Sequence, residues 1–376
     1  VIGRSPSGGA TALWSGLVLC GVALAGIMAG TAHQPADAGV DNAETTTVAA
    51  GHRPDACVPA IDARLADPSR SALLPEGGDV SPGQAAEYER QLREALRPLR
   101  GQEVEPTRVV PVVVHVISAS DGRGNVGDWQ IRRQIDVLNR AYRGGYAFGD
   151  EGADTGFRFR LREINRTVND GWFRDFNSQR DRIRERLHRG GADTLNLYTT
   201  RLDSGLLGYS TFPQDQKSKP KRDGVVISYD TLPGGDRHRF NEGHTATHEV
   251  GHWLGLFHTF QNGCDEPGDY VDDTPYEREA ASGCPRGRDT CRKAPGEDPI
   301  TNFMNYSEDA CMTHFTRDQG KRMVDHWRAF RSGANEEAEQ EGPDPRLAAV
   351  AGGGPSVDVR TTVTPDGTVE VRASVE

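Results

Sequence analysis

The chain has 376 residues, a formal net charge of −11 and a hydrophobic fraction of 35%. That length leaves room for one domain with a full core plus flanking segments. The acidic balance, without basic stripes to neutralise phosphates, argues against nucleic acid as a partner.

Residues 11–30 form the only long apolar run, behind Arg4 and ahead of the small residues Gly30, Thr31 and Ala32. This reads as a secretory signal over 1–32, so the expected product is secreted, extracellular and without stable membrane association. A permanent anchor is the competing reading, since the run is long enough to span a bilayer. Leu19 before Cys20 is too large for lipoprotein processing. Residues 33–100 are rich in Ala, Pro, Asp and Gly, with one helical stretch at 82–99, and read as a pro-segment without its own core.

The folded catalytic domain is expected over 101–335. Residues 109–118 are a β-branched run suited to a buried strand, with Pro111 marking an edge or bulge near its start. Ile131, Ile135, Leu138 and Tyr142 recur at helical spacing behind an expected N-cap at Asp128. Phe157, Phe159 and Leu161 alternate with three arginines, the pattern of a half-buried strand. Short strands follow at 195–200 and 224–229, and the last helix is expected over 316–331. Residues 336–376 read as an acidic linker and a hairpin, with Val357, Val359 and Val363 leading through a Pro-Asp-Gly turn to Val369 and Val371. A lone hairpin is marginal and needs a packing partner.

The decisive segment, residues 248–258, reads HEVGHWLGLFH. In a helix His248 and His252 share one face a turn apart, so both imidazoles reach one metal. Gly255 can take a left-handed conformation that ends the helix and returns His258 as third ligand. Three protein ligands leave a fourth position open, the mark of a catalytic zinc. Glu249 is not needed as a ligand and suits a carboxylate that takes a proton from zinc-bound water and passes it to a leaving amine. A histidine-rich amphipathic helix is the bland alternative.

The motif H-E-x-x-H-x-x-G-x-x-H with a later methionine turn, here Met304 in FMNY at 303–306, defines the metzincins. Together with GDYVDDTP at 268–275, DPI at 298–300, residues 302–311, Phe315 and Thr316, it resembles the pappalysin/cytophagalysin family of metzincin zinc proteases. The resemblance covers roughly 108–331. It implies an α/β (α+β) catalytic domain, with a twisted mixed sheet backed by helices and a zinc-binding helix. A disulfide-braced C-terminal subdomain and a final helix complete the expected fold.

The same resemblance implies that Met304 floors the zinc site, that Tyr306 lies near the metal to stabilise the oxyanion, and that Asp309 lies at the base of the S1′ pocket. An acid there favours Arg or Lys at P1′ of a protein or peptide substrate; a solvated loop acid beside Glu308 is the alternative. Six cysteines are present. The four between 264 and 311 allow three pairings by sequence alone, and the resemblance favours Cys264 with Cys291 and Cys284 with Cys311. Asp269, Asp272 and Thr274 supply hard oxygens in a loop where relatives bind calcium. Cys57 is either a pro-segment switch that ligates zinc in a zymogen or an incidental thiol. A monomer is expected. A secreted zinc-containing binding module without turnover, and a narrow processing protease, remain as alternatives.

Overall fold

One mixed sheet carries the catalytic body in the computed structural model, which describes residues 61–67, 80–147, 152–203, 205–332, 357–363 and 369–375. In chain order its elements are β1 (Ile61–Leu65), α1 (Pro82–Leu96), β2 (Arg108–Ser118), α2 (Asp128–Ala141) and β3 (Phe157–Val168). Then come α3 (Asp170–Arg174), α4 (Phe176–Leu187), β4 (Leu195–Thr200), β5 (Leu206–Thr211), α5 (Pro213–Gln216) and β6 (Val225–Ser228). The chain ends with α6 (His244–Trp253), α7 (Arg317–His326), β7 (Val357–Val363) and β8 (Val369–Val375). The signal at 1–32, Cys57 and residues 336–356 lie outside the described residues.

The strand order is β1-β5-β6-β4-β2-β3-β8-β7. The four central strands run parallel, and β5 turns back antiparallel to β6. Parallel strands must be covered on both faces, and alternate residues serve the two sides. Leu195, Leu197, Val225 and Ile227 face a core shared with α2, α6 and α7, whereas Tyr198 and Val226 face Trp172, Phe173, Phe176 and Ile183. Pro111 sits where β2 pairs with β3 alone, since the ladder to β4 begins at Val112, so its missing N–H breaks no inner ladder.

Two segments reach the sheet from afar. The C-terminal hairpin finds its packing partner by adding β8 antiparallel to β3, from Glu163↔Ser374 to Val168↔Val369. At the opposite edge β1 pairs antiparallel with β5, from Ile61↔Thr211 to Leu65↔Leu206. The helix expected at 82–99 forms as α1 with a 3-10 turn at Arg97–Leu99, and Ala85 and Tyr88 pack on Phe212 and Phe257 of the body. One cap differs from expectation: Gly127, not Asp128, is the N-cap of α2, its N–H held by Gln130, while Asp128 turns to Arg166. The Asp128 carboxylate has a guanidinium within reach and is the first helical residue rather than the cap. The last helix starts behind Thr316, which accepts from Gln319 N, and closes with a π-type turn, Trp327–Arg331. Among the described residues no helix is long and apolar enough to cross a membrane.

Candidate active site

Helix α6 is buried along its whole length, so its ends are fixed by packing as well as by backbone preference. Gly243 opens it at φ +93° and Gly255 leaves it at φ +95°, conformations that cost an L-residue about 1 kcal/mol or more. A side chain at Gly255 would also collide with the ring of His326. Leu254 N–H donates to Val250 O and Leu256 N–H to Gly251 O, which wraps the chain back over the last turn. That wrap delivers His258 beside the helix.

The three Nε2 atoms stand 3.0 Å (His248 to His252), 3.1 Å (His252 to His258) and 3.2 Å (His248 to His258) apart. A triangle of that size admits one cation about 2 Å from each nitrogen, the zinc–imidazole distance. Nδ1 of His248 donates to Phe303 O at 2.7 Å and Nδ1 of His252 to Leu256 O at 2.8 Å, which turns both Nε2 lone pairs inward. Burial holds all three imidazoles far below their ordinary pKa, His252 at about 3, so they are neutral and able to ligate. Among the described residues these three histidines are the group of His, Cys, Asp and Glu side chains close enough to share an ion. The donor set and its orientation fit zinc.

Glu249 is fully buried beside them, and burial raises its pKa well above the usual carboxylate value. Gly208 of β5 faces it: a Cβ there would lie 2.9 Å from Glu249 Cγ and 2.9 Å from Val226 O. Met304 lies under the helix, fully buried, its sulfur where a side chain on Gly251 would have to go. The ring of Tyr306 stands 4.8 Å from that of His258 and 5.8 Å from that of His248. The turn carrying both is tied by asparagines. Asn302 Oδ1 accepts from Met304 N, and Asn305 Oδ1 accepts from Tyr306 N and Ala281 N.

Asp309 is fully buried, not a solvated loop acid. Its Oδ2 accepts the N–H groups of Glu242, ahead of α6, and of His244, the first residue of α6, and its Oδ1 meets Arg64 at 3.1 Å. Arg64 comes from β1. Its guanidinium also donates to Ser307 O and Thr245 Oγ1, and its backbone N–H donates to Glu249 Oε1 at 3.2 Å. The sequence pattern gave no signal for Arg64, nor for Gly208 or the asparagines, because each acts through a partner distant in sequence.

The disulfides are Cys264–Cys291 and Cys284–Cys311. Asp269 and Thr274 come together, Thr274 Oγ1 donating to Asp269 Oδ1 at 2.7 Å, whereas Asp272 is exposed. Asp269 Oδ2 is buried with no hydrogen-bond partner among the described residues.

Residues 192–327 match the peptidase M43 model described as pregnancy-associated plasma protein-A. An extracellular metalloprotease of Pyricularia oryzae is 43% identical over 60% of this chain and 76% of its own length. Extracellular metalloprotease 1 of Coccidioides posadasii is 44% identical over 60% of this chain and 78% of its own. Among solved structures, mature mirolysin of Tannerella forsythia in complex with a cleaved peptide is 31% identical, with a TM-score of 0.53, over 61% of this chain and 97% of its own. A promirolysin mutant from the same organism is 29% identical, with a TM-score of 0.57, over 67% of this chain and 89% of its own. Since more than two thirds of each fungal relative is covered, and a mirolysin-like fold holds the histidine triad, this chain is a zinc metalloendopeptidase belonging to the M43, or pappalysin, family.

Proposed function

We propose that this chain is the precursor of a secreted, monomeric endopeptidase that hydrolyses proteins before arginine or lysine. The observation that carries the specificity is the Arg64–Asp309 pair, both side chains fully buried. Two backbone N–H groups fix the Asp309 carboxylate, and the planar guanidinium of Arg64 meets its other oxygen. A neutral side chain would leave a buried charge unpaired, which costs several kcal/mol.

Zinc on the three Nε2 atoms would polarise the scissile carbonyl and acidify the attacking water. Glu249 then takes the proton of that water and hands it to the leaving nitrogen. Its Oε1 already accepts from a peptide N–H, that of Arg64, the kind of group it must protonate. Met304 serves as the hydrophobic floor of the histidine cage, and Tyr306 is the side chain placed to stabilise the oxyanion.

Asp269 and Thr274, with Asp272, are proposed to hold calcium; the buried unpartnered Oδ2 of Asp269 supports this, since desolvation raises that carboxyl to about 7 unless a cation compensates it. We read residues 33–100 as the pro-segment and 101–335 as the enzyme, followed by the linker and hairpin at 336–376. A zinc-ligating switch at Cys57 belongs to the same proposal.

The test is cut-site profiling of a peptide library. Arg and Lys should be enriched at P1′, and Asp309→Ala should lower kcat/KM for such peptides by about 100-fold, with little effect on neutral P1′ residues. Cuts spread evenly over all P1′ residues would remove Asp309 from the specificity pocket.

A further inference from the structure

Glu277 is a second fully buried acid, set in the irregular chain beyond the histidine cage. Its Oε2 accepts from Thr259 Oγ1 at 2.8 Å and from Asn305 Nδ2 at 2.8 Å. Thr259 follows the third histidine of the cage, and Asn305 stands between Met304 and Tyr306. The rings beside these two anchors pack together: Phe260 stacks on His258 at 4.6 Å between centroids and meets Tyr306 edge-on at 5.1 Å. Thr259 N–H also donates to Met304 O at 3.3 Å. One carboxylate oxygen thus ties the chain that leaves His258 to the turn that presents Tyr306.

A buried carboxylate is a costly way to join two segments, and this one is only half neutralised. Arg288 Nη1 lies 2.6 Å from Glu277 Oε1 and 2.6 Å from Asp298 Oδ2, so one guanidinium serves two buried acids. What an acid does here, and a neutral amide does not, is accept on both sides. With Oε2 accepting, Asn305 turns its Nδ2 toward Glu277. That leaves Asn305 Oδ1 to take the N–H groups of Tyr306 at 2.8 Å and Ala281 at 3.0 Å. A glutamine at 277 breaks the pattern whichever way its amide lies. With its nitrogen toward Arg288, two donors meet. With its nitrogen toward Asn305, the asparagine must flip and present Nδ2 to the N–H of Tyr306.

We propose that Glu277 is a positioning residue for Tyr306, holding the tyrosine beside the cage through the Asn305 amide and the Thr259 hydroxyl. This rests on the oxyanion role read for Tyr306 under Proposed function. The Asp309 carboxylate is fixed by other groups, the N–H of Glu242 and of His244, so the loss of Glu277 falls on kcat rather than on KM.

The experiment is a double-mutant cycle on peptides with Arg at P1′, run at pH 8, above the value of about 7 to which burial lifts the Glu277 carboxyl. Glu277→Gln should lower kcat about 10-fold with KM within about 2-fold of wild type and zinc still bound at one equivalent. Added to Tyr306→Phe, the same substitution should cost less than about 2-fold more, because the group it positions is gone. Glu277→Gln combined with Asn305→Asp moves the acid to the other end of the bond, where it accepts from the new amide and still takes the Tyr306 N–H. This pair should raise kcat at least about 3-fold above Glu277→Gln alone, and should fold and turn over even where the single variant does not fold, as melting temperature and zinc content report. Wild-type kcat in Glu277→Gln, a loss that adds in full to that of Tyr306→Phe, or no recovery in the pair overturns the proposal and leaves Tyr306 its role. A Tyr306→Phe enzyme with wild-type kcat overturns that role and the proposal with it.

Discussion

Gly208 shows how little room Glu249 has. The methyl group of an alanine there would meet Glu249 Cγ and Val226 O at 2.9 Å each, and neither can yield, one being backbone and the other held by α6. Gly208→Ala should therefore cut kcat by about 100-fold through displacement of Glu249, while zinc stays bound at one equivalent. Equal kcat in the two proteins would mean that the carboxylate has room the packing denies it. The residues legible in sequence were those whose chemistry is local. His248, Glu249, His252, Gly255 and His258 fall within eleven positions of one helix and its turn, where backbone geometry alone predicts convergence. Arg64, 185 residues before its partner Glu249 and 245 before Asp309, has no such local cue.

Among the elements, α1 bears on the site although its sequence reads as part of a detachable segment. Glu89 pairs with the buried Arg322, which donates to Gly255 O at 3.0 Å in the very turn that returns His258. Tyr88 packs on Phe212, and Phe212 lies 5.6 Å from the ring of His252. The α1 helix thus braces two of the three histidines from behind. Tyr88 also donates to Asp215 Oδ2, and burial lifts the Asp215 carboxyl to about 6 against the Tyr88 bond and the nearby Lys219.

Between about pH 4 and pH 6 the folded protein holds a proton on Asp215 that the unfolded chain has released, so stability falls as pH rises through that window. Asp215→Asn should remove this slope and gain about 1–2 kcal/mol relative to wild type above pH 6, with no gain below pH 4. Denaturant unfolding at several pH values checks it; parallel profiles would contradict the burial of that carboxyl. The strands β2, β3, β4 and β6 were legible because β-branched runs or strict alternation survive in sequence. The strand β5 was not. It is buried on both faces and carries Gly208 and Tyr209 where an alternating pattern would be sought, and its identity comes from pairing with β6 and β1. The hairpin was legible, but its docking on β3 was not, since turn chemistry sets a hairpin and not its neighbour.

At the scale of the molecule, a covered sheet supports one fully buried helix, α6, and the irregular chain beyond His258 is anchored around it. Two disulfides, each spanning 27 positions, destabilise the unfolded chain by about 3.5 kcal/mol apiece in the loop-entropy model. Arg331 closes the far end. It is fully buried against Asp223, stacks 3.6 Å from Trp253 and donates to Trp253 O, so the last helical turn is locked to the C-terminus of α6. Met304, buried against Gly251, and the buried Asp309, which accepts from His244 N, thus both pack on the helix that carries Glu249.

The most direct measurement pairs metal content with turnover in Glu249→Ala. The variant should hold one equivalent of zinc and keep the wild-type fold, while kcat/KM on a peptide with Arg at P1′ falls by about 1,000-fold or more. A folded, zinc-loaded Glu249→Ala protein that cleaves at the wild-type rate would contradict the account.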